Sequence, residues 1–117
     1  MVLKRLQALE KRTYTRMAKS LFKRRYDLIP PEVLRLVADA FTHGTKHDQK
    51  GKEPGWIRVP EWRAHYTGAL MRHFEAWRGG EWLDKDSKLP HLALTITNGI
   101  ILLALELRAR RTSHGPQ

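Results

Sequence analysis

Histidine and carboxylate side chains gather around one short segment of this sequence. His73 and His91 flank the stretch 78–90. That stretch carries three acids: Glu81, Asp84 and Asp86. If the histidines lie on neighbouring helices joined by this stretch, the hairpin brings imidazole and carboxylate groups together, and such a donor set suits a divalent metal ion. A lone histidine at either position would more often be an ordinary core residue, so the metal interpretation depends on the whole group.

A second polar pattern lies along the last predicted helix. His91, Thr95 and Asn98 are spaced i, i+4 and i+7, which places them on one helix face over about 10 Å. The surrounding residues are apolar, and buried polar groups are costly unless they are hydrogen-bonded. Two explanations fit: the three side chains bond to a neighbouring helix, or they face a ligand.

Apolar periodicity and the positions of prolines predict an all-α fold with four helices. The predicted helices cover residues 2–22, about 31–42, about 60–78 and about 90–110. The polar stretch 44–59 is predicted to be a long loop, in which Trp56 is the one candidate for burial. The third helix is predicted to bury Leu70, Phe74 and Trp77. The segment "IILLALEL", residues 100–107, is apolar nearly all round, so the last helix should be central in a small bundle or lie in a dimer interface.

Composition indicates a single domain of 117 residues with an uneven distribution of charge. We divide it into a basic amphipathic N-terminal helix (1–22), a body (23–107) and a basic tail (108–117). Residues 1–25 hold nine Lys/Arg and one acid, whereas residues 26–107 hold ten Lys/Arg and eleven acids and are nearly neutral. The basic N-terminal helix could bind nucleic acid or an acidic partner. We expect a cytoplasmic protein without a membrane segment. The sequence has no cysteine and no signal-peptide pattern, and its longest apolar run, residues 100–105, is too short to span a bilayer.

Several motifs, taken in order, resemble the dATP/dGTP diphosphohydrolase N-terminal family. They are "KRRYDLIPPEVL", "THGTK", "GW", "LMRHFEAWRGGEWLD" and "LPHLALTITNGIILLALEL", within residues 22–107. Each motif is weak alone, but the ordered set is fairly specific. Many members of this family are phage-encoded, and the family is related to MazG-type all-α nucleotide pyrophosphohydrolases. The resemblance therefore implies a MazG-like bundle, dimeric or larger, in the host cytoplasm if the gene is phage-borne.

The resemblance also implies an activity and a set of site residues. The activity is hydrolysis of a (deoxy)nucleoside triphosphate, such as dATP or dGTP, to monophosphate and pyrophosphate with Mg²⁺ or Mn²⁺ as cofactor. The expected metal site comprises His73, Glu81, Asp84, His91 and Asn98. We expect catalysis to involve Glu81, Asp84 and His73. Substrate contacts are expected from Arg25, Asp27, Lys46, Arg72 and Trp56, the cations contacting phosphate and the indole stacking on the base.

The sequence departs from the family pattern in ways that keep two other functions open. Leu94 stands where a second histidine often follows the first on the last helix, and His47 and Asp48 replace a Tyr-Gly pair. The paired acidic motifs of MazG are also missing. One alternative is a non-catalytic module of the same fold that binds nucleic acid or a protein partner. The other is a purely structural protein whose His and Asn side chains are hydrogen bonders in the core.

Overall fold

The described part of the protein is entirely helical. The computed structural model describes residues 23–46, 48 and 51–114. Its three α-helices are α1 (Pro31–Gly44), α2 (Trp62–Arg78) and α3 (His91–His114), and two short 3₁₀ helices cover Tyr26–Leu28 and Gly55–Arg58. Within these residues the only β-type pairing is one isolated bridge, between Leu83 and Pro90. The all-α prediction is confirmed; the helix predicted over 2–22 lies outside the described residues.

The described residues fall into two compact units divided at Pro31. Residues 23–31 belong to the first unit and contain the short 3₁₀ helix Tyr26–Leu28. The second unit begins at Glu32 and contains nearly all of α1 and the whole of α2 and α3. The candidate site described below lies within the second unit.

Helix boundaries differ from the predicted ones by a few residues, for local reasons. α1 continues to Gly44 rather than to about 42. α2 begins at Trp62 rather than at Pro60, because Glu61 adopts a left-handed conformation with φ of 52° and interrupts the helical path. α3 extends beyond the predicted end at 110, and Arg108, Arg110 and Arg111 near its end complement the negative pole of the helix.

The core lies where α2 packs against α3, which is the most extensive contact between helices. Tyr66, Ile101 and Leu105 form its buried centre. Partly buried apolar side chains surround them: Phe41, Trp56, Val59, Trp62 and Leu102. The prediction that Trp77 belongs to this core was wrong, since 38% of Trp77 is exposed. Tyr66, about one turn upstream of Leu70, takes the central place because its hydroxyl reaches the carbonyl oxygen of Trp56 at 3.3 Å.

One face of α3 is buried and the opposite face is exposed. Ala93, Thr97, Ile101 and Leu105 are buried. Four apolar residues at helical spacing are exposed on the other side: Ile96, Ile100, Leu103 and Leu107. By length and composition alone, His91–Thr112 could also cross a membrane, which the sequence interpretation overlooked because it considered only the uninterrupted run 100–105. Core helices of soluble proteins meet the same criterion, so this property is weak evidence for a membrane segment.

Candidate metal centre

The turn between α2 and α3 is held in one conformation by backbone hydrogen bonds. Gly80 takes a φ of 101°, which glycine adopts without a steric penalty. The N–H groups of Asp84 and His91 donate to the carbonyl oxygens of Leu89 (2.8 Å) and Trp82 (2.9 Å). These two bonds close the turn like a short hairpin and fix Asp84 and the first residue of α3 relative to each other.

Two histidine side chains meet across this hairpin. Nδ1 of His73, on α2, lies 2.9 Å from Nδ1 of His91, at the start of α3. The ring centroids are 5.1 Å apart. His91 is 5% exposed and His73 is partly buried. Because each neutral imidazole has one N–H and one lone pair, one of the facing nitrogens donates and the other accepts.

Asp84 completes a group of three potential metal ligands. One donor atom from each of His73, Asp84 and His91 lies within 4.8 Å of the others. Oδ2 of Asp84 accepts hydrogen bonds from the backbone N–H and the hydroxyl of Ser87, both at 2.8 Å. Burial alone would raise the pKa of Asp84, but the bonds from Ser87 and the positive charge available on both histidines outweigh it and hold the pKa below its ordinary value. Asp84 is therefore a carboxylate at neutral pH.

The geometry and protonation of this group fit a divalent cation. Two donors about 2.1 Å from an ion and at right angles to each other lie about 3.0 Å apart, close to the separation of the two Nδ1 atoms. Burial lowers the pKa of His73; the charge of Asp84 opposes this shift, and His91 and Arg72 add to it. A neutral imidazole is the form that binds metal. The residues present can thus supply two nitrogens and one carboxylate oxygen to an ion.

Glu81 lies at the other nitrogen of His91. Nε2 of His91 is buried and has no hydrogen-bond partner among the described residues, and Oε1 of Glu81 is 3.5 Å away. Glu81 is half exposed and is not part of the three-residue group. Metal-binding histidines usually donate their second N–H to a carboxylate or carbonyl, which fixes the tautomer and the ring orientation. Glu81 is therefore placed to orient His91, and its predicted direct coordination of a metal stays a prediction.

Asn98 and Trp56 lie outside the three-residue group and line a cavity instead. Asn98 is seven residues beyond His91, about 10 Å along the helix, and its amide donates to the carbonyl oxygen of Leu94 at 2.8 Å. Trp56 packs against Phe41, with ring centroids 6.2 Å apart. The cavity, about 360 Å³ in volume, lies between α1, the 3₁₀ helix Gly55–Arg58, α2 and α3.

The predicted phosphate-binding residues are all exposed. Arg72 precedes His73 on α2, and its charge is one of the smaller causes that lower the pKa of His73. Lys46 follows the end of α1. Arg25 and Asp27, in the first unit, bond to each other through two contacts of 2.8 Å. A role for these residues in binding substrate stays a prediction.

Sequence reasoning missed three residues that shape this region. Ser87 orients Asp84, and an Asp followed three residues later by Ser in a turn is a pattern that could have indicated it. Asp48, noted only as a departure from the family pattern, lines the cavity and accepts a hydrogen bond from the N–H of Gly55 at 3.1 Å. His43 also lines the cavity and lies 3.5 Å from Asp86; no short-range pattern links these two residues.

Fold and site together define a small all-α domain with a candidate His–Asp–His metal-binding group at a helical hairpin. The family model for the N-terminal domain of dATP/dGTP diphosphohydrolases matches residues 14–114, so the chain belongs to this family. The resemblance described from the motifs is thereby confirmed. Comparison with curated proteins and with solved structures gives no match.

Proposed function

We propose that the protein hydrolyses purine deoxynucleoside triphosphates, such as dATP and dGTP, to monophosphate and pyrophosphate with the help of a divalent metal ion. The observation that carries the proposal is the approach of the two Nδ1 atoms, 2.9 Å apart, with a carboxylate of Asp84 in the same group. This arrangement occurs in a chain whose family is named for dATP/dGTP diphosphohydrolase activity. Hydrolysis of a triphosphate is a reaction for which such a group is suited.

A divalent ion held by His73, Asp84 and His91 would neutralise phosphate charge and supply an activated water. Two imidazole donors favour Mn²⁺ over Mg²⁺ more than an all-carboxylate site would. Ser87 hydrogen-bonds Asp84, and the carboxylate of Glu81, 3.5 Å from Nε2 of His91, is placed to orient that ring. The protein's own contribution is therefore two imidazole nitrogens and one carboxylate oxygen brought together by the hairpin.

In the proposed reaction, a water oxygen bonds to the α-phosphorus and the bond from this phosphorus to the α–β bridging oxygen breaks. Pyrophosphate leaves with the bonding electrons, and the proton of the water passes to solvent. Arg72 is a candidate to contact phosphate oxygens, because it is exposed and precedes His73 on α2. Lys46 is a second candidate from the end of α1, where its side chain is exposed.

The test is to incubate the purified protein with each of the four deoxynucleoside triphosphates and Mn²⁺ or Mg²⁺, and to separate the products by ion-exchange chromatography. We expect monophosphate and pyrophosphate from the purine substrates, with Mn²⁺ the better cofactor. The variant D84N should lose this activity, whereas H65A, on an exposed part of α2, should keep it. No turnover at high protein concentration would favour the non-catalytic alternative, and release of orthophosphate would contradict the reaction proposed.

We also propose that the protein is a homo-oligomer joined through α3. The exposed residues Ile96, Ile100, Leu103 and Leu107 are spaced i, i+4, i+7 and i+11, as in a helix face that packs against another helix. Sedimentation velocity should show a dimer or larger species that dissociates in L103E. A monomer at all concentrations would contradict this part of the proposal.

A further inference from the structure

Ser87 makes three hydrogen bonds inside the turn between α2 and α3. Its hydroxyl and its backbone N–H both donate to Oδ2 of Asp84, each at 2.8 Å. The hydroxyl oxygen also accepts a hydrogen bond from the N–H of Leu89 at 3.2 Å. Because a carboxylate can only accept hydrogen bonds, the hydroxyl hydrogen of Ser87 must point at Asp84.

The backbone of the turn holds Ser87 and Asp84 in this arrangement. The N–H of Asp84 donates to the carbonyl oxygen of Leu89 at 2.8 Å, and the N–H of Lys88 donates to the carbonyl oxygen of Asp84 at 2.9 Å. Lys88 has a φ of 65°, in the left-handed region that residues other than glycine seldom adopt. Such a conformation persists only where the surrounding contacts determine it, and it is frequent at functional sites. The turn is thus built around the carboxylate of Asp84.

These bonds make the two carboxylate oxygens of Asp84 unequal. Each oxygen has two lone pairs, and both lone pairs of Oδ2 accept hydrogen bonds from Ser87. Within the part of the chain that the structure describes, no hydrogen bond reaches Oδ1. Oδ1 is therefore the oxygen whose lone pairs are free to bind an ion.

The number of oxygens that Asp84 offers affects how many positions around an ion stay open. One donor atom from each of His73, Asp84 and His91 lies within 4.8 Å of the others. A carboxylate that binds through both oxygens takes two positions around the ion, whereas one that binds through a single oxygen takes one. With Oδ1 alone, the ion keeps an additional position for water or for a phosphate oxygen, and metal sites that carry out catalysis need such open positions.

The same restriction affects which ion the site prefers. Ca²⁺ takes about six to eight oxygen ligands and often binds a carboxylate through both oxygens. Imidazole nitrogens suit transition-metal ions better than they suit Ca²⁺. A group of two imidazoles and one carboxylate oxygen therefore disfavours Ca²⁺ on two counts, and only the second of them, the single oxygen, depends on Ser87.

We infer that Ser87 is a positioning residue that restricts Asp84 to metal coordination through Oδ1, and that it thereby increases the preference of the site for Mn²⁺ over Ca²⁺. The inference rests on the metal site of the proposed function, but not on hydrolysis. Ser87 acts through Asp84, because its two hydrogen bonds occupy the second carboxylate oxygen.

The test is isothermal titration calorimetry of the whole protein with Mn²⁺ and, separately, with Ca²⁺, in the absence of nucleotide. The wild type should bind Mn²⁺ more tightly than Ca²⁺. S87A keeps the backbone N–H but frees one lone pair of Oδ2, so that Asp84 can bind an ion through both oxygens. The ratio of Mn²⁺ to Ca²⁺ affinity should then fall on the order of tenfold, a typical effect of removing the partner of a metal ligand. Equal affinities of the wild type for the two ions would overturn the inference.

Two further variants separate this role from a purely structural one, with folding checked by circular dichroism. S87T retains a hydroxyl and should restore the wild-type ratio. T42A removes a hydroxyl that bonds the carbonyl oxygen of Ala38 on α1, and it should leave both affinities unchanged. If S87A weakened the binding of both ions by the same factor, Ser87 would only hold the turn and the inference would be wrong. An S87T ratio equal to that of S87A would also contradict it.

Metal binding and hydrolysis are measured separately, so this inference and the proposed function can fail separately. The expected change of ratio in a protein that hydrolyses no triphosphate would support the role of Ser87 and reject the enzyme. Hydrolysis of dATP and dGTP with Mn²⁺, together with an unchanged ratio in S87A, would reject the role of Ser87 and leave the enzyme standing. A wild-type protein that binds neither ion would reject both.

Discussion

Nδ1 of His73 and Nδ1 of His91 lie 2.9 Å apart, although the two residues are 18 positions apart in the sequence. In the metal-free protein the contact is a hydrogen bond that requires one ring to donate and the other to accept. A cation between the rings would replace this bond by two coordination bonds, with Asp84 as a third ligand. The close approach of the two histidines can therefore be tested directly by measuring whether the protein binds a cation.

Mn²⁺ should raise the thermal midpoint of the wild-type protein, because a ligand that binds only the folded state stabilises it. At 100 times the dissociation constant the gain is about 2.7 kcal/mol. For a domain of this size this corresponds to a shift on the order of 10 °C, measurable by differential scanning fluorimetry. The shift should vanish in H73A and persist in H65A, whose imidazole is exposed elsewhere on α2. An equal shift in wild type and H73A would contradict the assignment.

Replacing Glu81 by glutamine should weaken Mn²⁺ binding without abolishing it. The carboxylate lies 3.5 Å from Nε2 of His91 and can fix the orientation of the ring, and loss of such a partner typically lowers metal affinity 10- to 100-fold. Titration calorimetry with Mn²⁺ measures the change. E75Q is the matched control, because Glu75 is exposed on α2 beside Arg78. Complete loss of binding in E81Q would instead indicate that Glu81 is a direct ligand.

Two glycine-to-alanine variants should change stability in opposite directions. Gly80 has a φ of 101°, so G80A should destabilise the protein by about 1–2 kcal/mol or more through backbone strain alone, since a Cβ there meets no atom within 4 Å. Gly44 is helical and equally open, so G44A should stabilise it by up to about 1 kcal/mol. Urea unfolding monitored by circular dichroism gives both values. The same sign for both variants would refute this account of the turn.

The ion pair between Arg63 and Glu106 should make a small contribution to stability that depends on pH. Hydrogen bonding to Arg63 is the main cause that lowers the pKa of Glu106, although burial opposes it. A carboxylate with a lowered pKa stabilises the fold at pH values above its unfolded pKa, about 4.3, and this contribution is lost as the pH falls through the folded pKa. The difference in thermal midpoint between wild type and E106Q should therefore be present at pH 7 and smaller at pH 3. A difference that grows in acid would contradict the assignment of the shift to Glu106.

The sequence was sufficient to predict the helical hairpin and the meeting of His73 with His91. Prolines and apolar spacing are local signals, and residues that flank a short turn between antiparallel helices must lie close together. These local signals could not predict that Glu81 lies beside Nε2 of the His91 ring. It depends on the backbone path between Gly80 and Leu83, which the long-range bonds to residues 89–91 determine.

Local sequence patterns were also insufficient to predict which residues form the core. Trp77 and Tyr66 both fit an apolar stripe on α2, yet only Tyr66 is buried. The difference arises because the loop before α2 brings the carbonyl oxygen of Trp56 to the hydroxyl of Tyr66. Asp48 likewise enters the cavity through its bond to Gly55, a contact made by the folded loop rather than by sequence spacing.

The local origin of the donor group has a consequence for folding. His73, Asp84 and His91 all come from one continuous segment, and contacts between residues near in sequence form early because little loop entropy is lost. All ligands of the proposed ion therefore lie in the hairpin, and none comes from α1. If the ion binds, it would stabilise the docking of α2 against α3 without any contribution from the first helix.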